Sequence, residues 1–441
     1  MQNCQAKWLG CFPRTRHLLT LVAFSLFVPT TGFSIDGLKV KFIDDNADYP
    51  SSNIYVAFCG QSDPANLVAK KLSDGTALAL GTSYSLTDLQ DGILLTRYVT
   101  GRLCIKLGKK FESLPNPGNG NNPNFNNPSL PDFGFRWDKA EITYNITDPN
   151  SSINLSATDF FSVRLRVRTY RDGSLIRTLT WQKAIATAFH DTGVLSDFSD
   201  TLPALAVCID KNHGVPTQGP NSIINVVRVI APSTIGVGVR NPYPSFQAYI
   251  NHVRANAIVT KIEGEFFSGP PPLPKYEFTA LVDSAGLLMT GTVTTNAVPK
   301  SHVIKIETGH LDSGIYTQSP RCNIDGVNAT PGNDAIGAAI RDVLAGFSYG
   351  FIGSNEQNPN APGKTFGEST SSEWHLPRTL PIKYAFAGAQ PNHPYYNQYA
   401  AALNPITMAY GFPYSDFVEK PLASLDPASI DSMDITVLAD Q

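Results

Sequence analysis

The 441-residue chain has little charge, little histidine and little cysteine. Charged side chains make up 16% of it, 34 basic against 37 acidic, for a formal net charge of −3. There is no basic surplus to neutralise a phosphate backbone, so nucleic acid is not an expected partner. The eight histidines lack metal-ligand spacing, and no Cys-x-x-Cys or Cys/His cluster occurs, so neither zinc nor another metal is expected. There is also no glycine-rich phosphate loop and no Gly-x-Ser-x-Gly elbow, which argues against nucleotide chemistry and serine-hydrolase chemistry. No cofactor is called for.

Long apolar runs are equally scarce. Residues 18–28 form one, preceded by Lys7, Arg14 and Arg16 and followed by small residues up to Ser34. It is too short to span a bilayer and has the layout of a secretory signal. The expectation is a signal peptide at 1–34 and a mature unit at 35–441. The mature chain would be secreted or periplasmic, with no membrane partner, and monomeric. Cys4 and Cys11 would leave with the signal. Cys59, Cys104, Cys208 and Cys322 remain, enough for two disulfides in three possible pairings. Cys59 with Cys104 is the favoured pair, since both lie in early strand-like runs.

What the chain does have is apolar content, at 42%, and turn formers, with 34 Gly and 33 Pro. That mixture favours many short strands. Strand signals fall at 53–59 (NIYVAFC), 102–107 (RLCIKL), 137–145 (WDKAEITYN), 159–170 (DFFSVRLRVRTY), 222–231, 275–282 and 302–307. Helical spacing appears at 181–189, 243–255 and 334–349, the last with Asn333 as a candidate N-cap. A Pro/Asn/Gly-rich loop spans 114–135, of the length and kind that often carries function. The pattern reads as an all-β core interrupted by a helix-containing lobe.

Within 137–145, alternate residues share a face. Trp137, Lys139, Glu141, Thr143 and Asn145 fall on one side, nearly all polar, with Asp138, Ala140, Ile142 and Tyr144 on the other. Glu141 and Asp159 are candidate partners, because glycosidic bonds are cut by two carboxyl groups. Arg164, Arg166 and Arg168, and likewise Glu263 and Glu265, read as solvated strand faces.

Several segments carry a resemblance: IYVAFCG at 54–60, GRLCIKLG at 101–108, RWDKAEITY at 136–144, SATDFF at 156–161, RVIAPS at 228–233 and YNQYAAALNPITMAYGFPYSDF at 396–417. Taken together and in this order, they resemble family 64 of the glycoside hydrolases, the laminaripentaose-producing β-1,3-glucanases. The AYGFPYSD core is the most specific of them.

The resemblance implies a mainly β, thaumatin-like fold. A β-barrel or sandwich lobe, mainly 35–175 plus later strands, would face a mixed α/β lobe, mainly within 176–400, across a wide cleft. It implies β-1,3-glucan as substrate and partner, and an inverting mechanism. Carried over by position, Glu141 is the general acid and Asp159 the general base. Thr143, Asn145 and Ser156 match sugar-contacting positions, Trp137 is a candidate near the cleft, and Asp416 is a candidate lining residue. Inverting carboxyl pairs stand about 6.5–9.5 Å apart to admit a water, and the acid must hold its proton near the working pH. The chain departs from the family after Asp159, where Ser162, Val163 and Arg164 replace the usual glycine and proline. Two alternatives stand beside this one: a glucan-binding protein without turnover and a structural surface protein.

Overall fold

Alternating side chains build the first strand. In β1 (Leu38–Asp45), Leu38, Val40 and Phe42 point inward while Lys39 and Lys41 face out, the period of two that a half-buried strand imposes. The computed structural model describes residues 36–46, 49–61, 63–112, 114, 123, 130–181, 207–209, 226–234, 243–266, 271–375, 395–404, 406–419 and 421–439. The expected signal segment, most of the 114–135 loop and the expected helix beyond Trp181 lie outside these residues.

The largest sheet among the described residues has eleven strands. After β1 these are β2 (Ile54–Cys59), β3 (Leu67–Lys71), β4 (Ser83–Ser85), β5 (Ile93–Leu107), β6 (Trp137–Asn145), β7 (Ser152–Leu155), β9 (Leu165–Arg171) and β10 (Ser174–Thr180), then β19 (Leu422–Ser424) and β20 (Ser432–Leu438). The main path runs β10-β9-β20-β1-β5-β6-β7-β19, with β2, β3 and β4 branching at β5. All ladders are antiparallel except β1 with β20, which run parallel from Lys39↔Ser432 to Asp45↔Leu438. The end strand β10 comes back into contact with β7 and β19, so the sheet nearly closes on itself like a barrel.

Strand β5 organises the region around the candidate carboxylates. It runs 15 residues, and its pairing with β6 shifts register between Tyr98 and Gly101, a β-bulge that bends the strand. Thr100 takes a left-handed φ of 49° there. The buried Tyr98 folds back over Gly101, where a Cβ would stand 2.1 Å from its ring. The Tyr98 hydroxyl accepts from the Arg102 N–H at 3.0 Å and donates to the Cys59 carbonyl at 2.6 Å. The bulge therefore sets where Arg102 points.

A second sheet of six antiparallel strands spans β13 (Val259–Glu265), β14 (Lys275–Val282), β15 (Gly286–Thr295), β16 (Val298–Glu307), β17 (Cys322–Ile324) and β18 (Val327–Ala329). Against it pack α1 (Gln247–Ala255), α2 (Thr308–Thr317) and α3 (Ala335–Tyr349). A small third sheet joins β8 (Phe160–Phe161), β12 (Val226–Ile230) and β11 (Val207–Ile209). Among the described residues the architecture is mainly β with few helices.

Three expectations need correction. The N-cap of α3 is Asp334, not Asn333: its extended backbone lets the carboxylate accept from the Gly337 N–H at 2.7 Å. The single strand expected at 159–170 is two, because buried Asp138 accepts the Ser162 and Val163 N–H groups at 2.8 and 3.1 Å and takes them out of any ladder. Cys59 and Cys104, the expected disulfide pair, are free thiols, as is Cys322. The register pairs Cys59 with Arg102 and Cys104 with Ala57, so the two cysteines sit diagonally rather than opposite each other. The side chain of Cys208 lies outside the described residues.

Candidate active site

Glu141 stands in the middle of β6, opposite Arg102 of β5 and Asn154 of β7. Its Oε1 lies 3.3 Å from Arg102 Nε, and its side chain is 21% exposed. Its Oε2 accepts a hydrogen bond from the Tyr410 hydroxyl. Lys139, two residues earlier on the same face, is opposite Cys104. Its side chain is 1% exposed, and its ammonium lies 2.5 Å from Asp159 Oδ2 and 4.8 Å from the centre of the Phe160 ring.

Asp159 sits just ahead of β8. Its carbonyl accepts from the Ala231 N–H at 2.9 Å and the Thr234 hydroxyl at 2.8 Å, so the 231–234 segment anchors its backbone. Burial pushes its carboxyl pKa up, but the Lys139 charge and hydrogen bond, with Arg102 behind them, hold it below the usual carboxylate range. Arg102 shows the converse. Burial pulls its pKa down, yet the fields of Glu141 and Asp159 together keep it above the ordinary arginine value. Arg102 and Tyr410 thus hold Glu141, and Lys139, on the same face of β6, holds Asp159.

Asp138 points into the opposite face of β6. Burial raises its pKa to about 6 against three backbone N–H groups that pull it down. Its role is to hold the chain just beyond Asp159.

The remaining candidates divide. Thr143 and Asn145 are half-buried on the face of Glu141. The Thr143 hydroxyl accepts from the Thr100 N–H at 3.1 Å, at the bulge. The Asn145 carboxamide oxygen accepts from Thr147 N–H and hydroxyl at 3.3 and 3.2 Å, closing the turn after β6. Ser156 is buried and bonded to the Thr158 hydroxyl at 3.1 Å, so it supports the approach to Asp159 rather than meeting solvent. Trp137 is 0% exposed. Its ring packs edge-on against Phe111 and Phe160 at 5.9 and 4.7 Å, with the Arg228 guanidinium 5.9 Å away. It is a buried core residue. Asp416 lies in a short helix, Ser415–Val418, and its side chain is outside the described residues. Among the described residues no group of acidic, histidine or cysteine side chains suits a metal ion.

Arg102, Lys139 and Tyr410 were not among the predicted site residues. The period of two already put Lys139 beside Glu141. Arg102 and Tyr410 lie inside GRLCIKLG and AYGFPYSD, but only strand pairing shows what they face.

Over 91% of this chain and 97% of the other, the fold matches a β-1,3-glucanase domain of glycoside hydrolase family 64 from Clostridium beijerinckii, at a TM-score of 0.53 and 15% identity. The fold is GH64-like. A laminaripentaose-producing β-1,3-glucanase solved in complex with laminaritetraose matches at a TM-score of 0.53 and 16% identity, over 92% of this chain and 99% of that one. No family model matches the sequence, and no curated protein does. At this identity the likeness is one of fold.

Proposed function

We propose that this protein hydrolyses β-1,3-glucan by a single displacement, with Glu141 as general acid and Asp159 as general base. The observation that carries the reading is that Glu141, held by Arg102, and Lys139, ion-paired with Asp159, share one face of β6 on a GH64-like fold. Glu141 gives its proton to the leaving glycosidic oxygen. Asp159 takes a proton from the water whose oxygen bonds the anomeric carbon from the opposite face, as the C–O bond to the leaving sugar breaks. The depressed pKa of Asp159 suits a base, which must be ionised to act. Thr143 and Asn145, further along the same face, would meet sugar hydroxyls. A glucan-holding cleft between a barrel-type lobe and a mixed α/β lobe belongs to this proposal, as do export and a monomeric state.

A second reading has an observation of its own. Both carboxylates are paired to basic side chains, Glu141 to Arg102 and Asp159 to Lys139, an arrangement that a glucan-binding protein without turnover tolerates well. Proton NMR of laminarin mixed with the protein separates the two. New α-anomeric reducing ends appearing first support single displacement. β-Anomeric ends would replace it with a double displacement, and binding with no new ends would leave only the binding protein.

A further inference from the structure

Tyr410 lies 269 positions from Glu141 in sequence, yet it touches the supports of both carboxylates. Its hydroxyl donates to Glu141 Oε2. Its backbone forms a parallel bridge with Ser156: the Tyr410 N–H donates to the Leu155 carbonyl at 3.2 Å, and the Ala157 N–H donates to the Tyr410 carbonyl at 2.9 Å. Two residues beyond Ala157 stands Asp159. The Tyr399 hydroxyl donates to the Ala157 carbonyl at 2.7 Å, so this short lead into Asp159 is gripped on both sides. Tyr410 is buried, at 6% exposure, which limits where its hydroxyl can swing.

The partners of Glu141 differ in chemistry. Arg102 carries only donors, whereas a phenolic hydroxyl both donates and accepts. When Glu141 holds its proton, the Tyr410 oxygen can accept it in a hydrogen bond. When that proton has gone to the leaving oxygen, the Tyr410 O–H turns to donate into the carboxylate. Tyr410 keeps its own proton throughout, so the step balances with the proton moving from Glu141 to the leaving sugar alone.

We infer that Tyr410 is a positioning residue that fixes the acid through its hydroxyl and the base's segment through its backbone, and so sets the geometry between them. The inference rests on the hydrolytic reading above and adds to it a third residue, from the far end of the chain.

The test is Tyr410→Phe, which keeps the ring, the packing and the backbone bridge and removes one oxygen. Wild type, Tyr410→Phe and Glu141→Gln are assayed together on laminarin for kcat, KM and pH profile, beside thermal melting. The expected result for Tyr410→Phe is a fall in kcat on the order of 100-fold, the scale of a small misplacement of a reacting group. KM should stay within about twofold, as expected when only transition-state geometry is lost. The alkaline limb of the profile, which the general acid governs, should move, and the melting temperature should hold. A kcat within about twofold of wild type, or a fall in kcat that only tracks a fall in melting temperature with the pH profile unmoved, overturns the inference. If wild type is active, Glu141→Gln is inactive and Tyr410→Phe is normal, this inference alone fails. If wild type releases nothing, the hydrolytic reading fails and takes the inference with it.

Discussion

Lys139 Nζ lies 2.5 Å from Asp159 Oδ2, with the lysine side chain almost wholly out of water. An ammonium buried beside a carboxylate favours the ionised form of that carboxylate. Asp159 therefore stays charged to lower pH than an ordinary aspartate. A depressed folded-state pKa contributes stability that is present above the unfolded value and lost as pH falls through the folded one. The same sign applies to a general base, whose activity is lost as pH falls through its pKa.

Replacing Lys139 with methionine removes the charge and keeps the bulk. Burial then acts on Asp159 with only Arg102 opposing it. The acid limb of the pH–rate profile should move to higher pH by about 1–3 units, the usual effect of one adjacent opposite charge. Initial rates of Lys139→Met across the acid range check this, and an unmoved limb would take the base role away from Asp159.

The bulge predicts a cost for one methyl group. In Gly101→Ala the new Cβ would meet the Tyr98 ring at 2.1 Å, so the ring must leave the hydrogen bonds that hold Arg102. Overpacking of this kind costs about 1–3 kcal/mol. Denaturant melts should show that loss, and activity should fall with it because Arg102 no longer faces Glu141.

Trp137 gives a prediction of the opposite kind. As a buried core ring it should matter for stability, not sugar affinity. Trp137→Ala should lose about 3–5 kcal/mol by chemical denaturation. Any variant that still folds, such as Trp137→Phe, should bind laminarin oligosaccharides as wild type does. Weakened binding with unchanged stability would return the ring to the sugar path.

The buried thiols make a chemical prediction. The hydrogen bond to Cys104, and then burial, push the Cys59 thiol pKa up, and the thiolate is the reactive form. Cys59 and Cys104 should resist Ellman's reagent in the folded protein and react once denaturant is added. Fast reaction in the native state would contradict their placement.

The limits of sequence reading show in strand β6. Its bounds, 137–145, match the alternation read from WDKAEITYN to the residue. Parity also put Lys139 and Glu141 on one face. Parity does not give depth, however. Trp137 shares that face but lies where Phe111 and Phe160 close over it, while Glu141 four residues on is partly open. Asp138 was legible only as a polar residue on the apolar face. Its bonds to Ser162 and Val163, which break the expected strand, depend on two chain segments meeting. Arg102 faces Glu141 through ladder register and Tyr410 through a bridge at the far end of the chain, and neither contact leaves a local pattern to read.

The most direct test is reducing-sugar release from laminarin by wild type, Glu141→Gln and Asp159→Asn, measured side by side. The expected result is release by wild type and a loss on the order of 100- to 10,000-fold in each variant, the range expected of general acid–base groups. Release by wild type that survives both substitutions would place the chemistry on other residues. No release by wild type between about pH 4 and 8, the span over which a carboxyl acid and base can be poised, would contradict hydrolysis altogether.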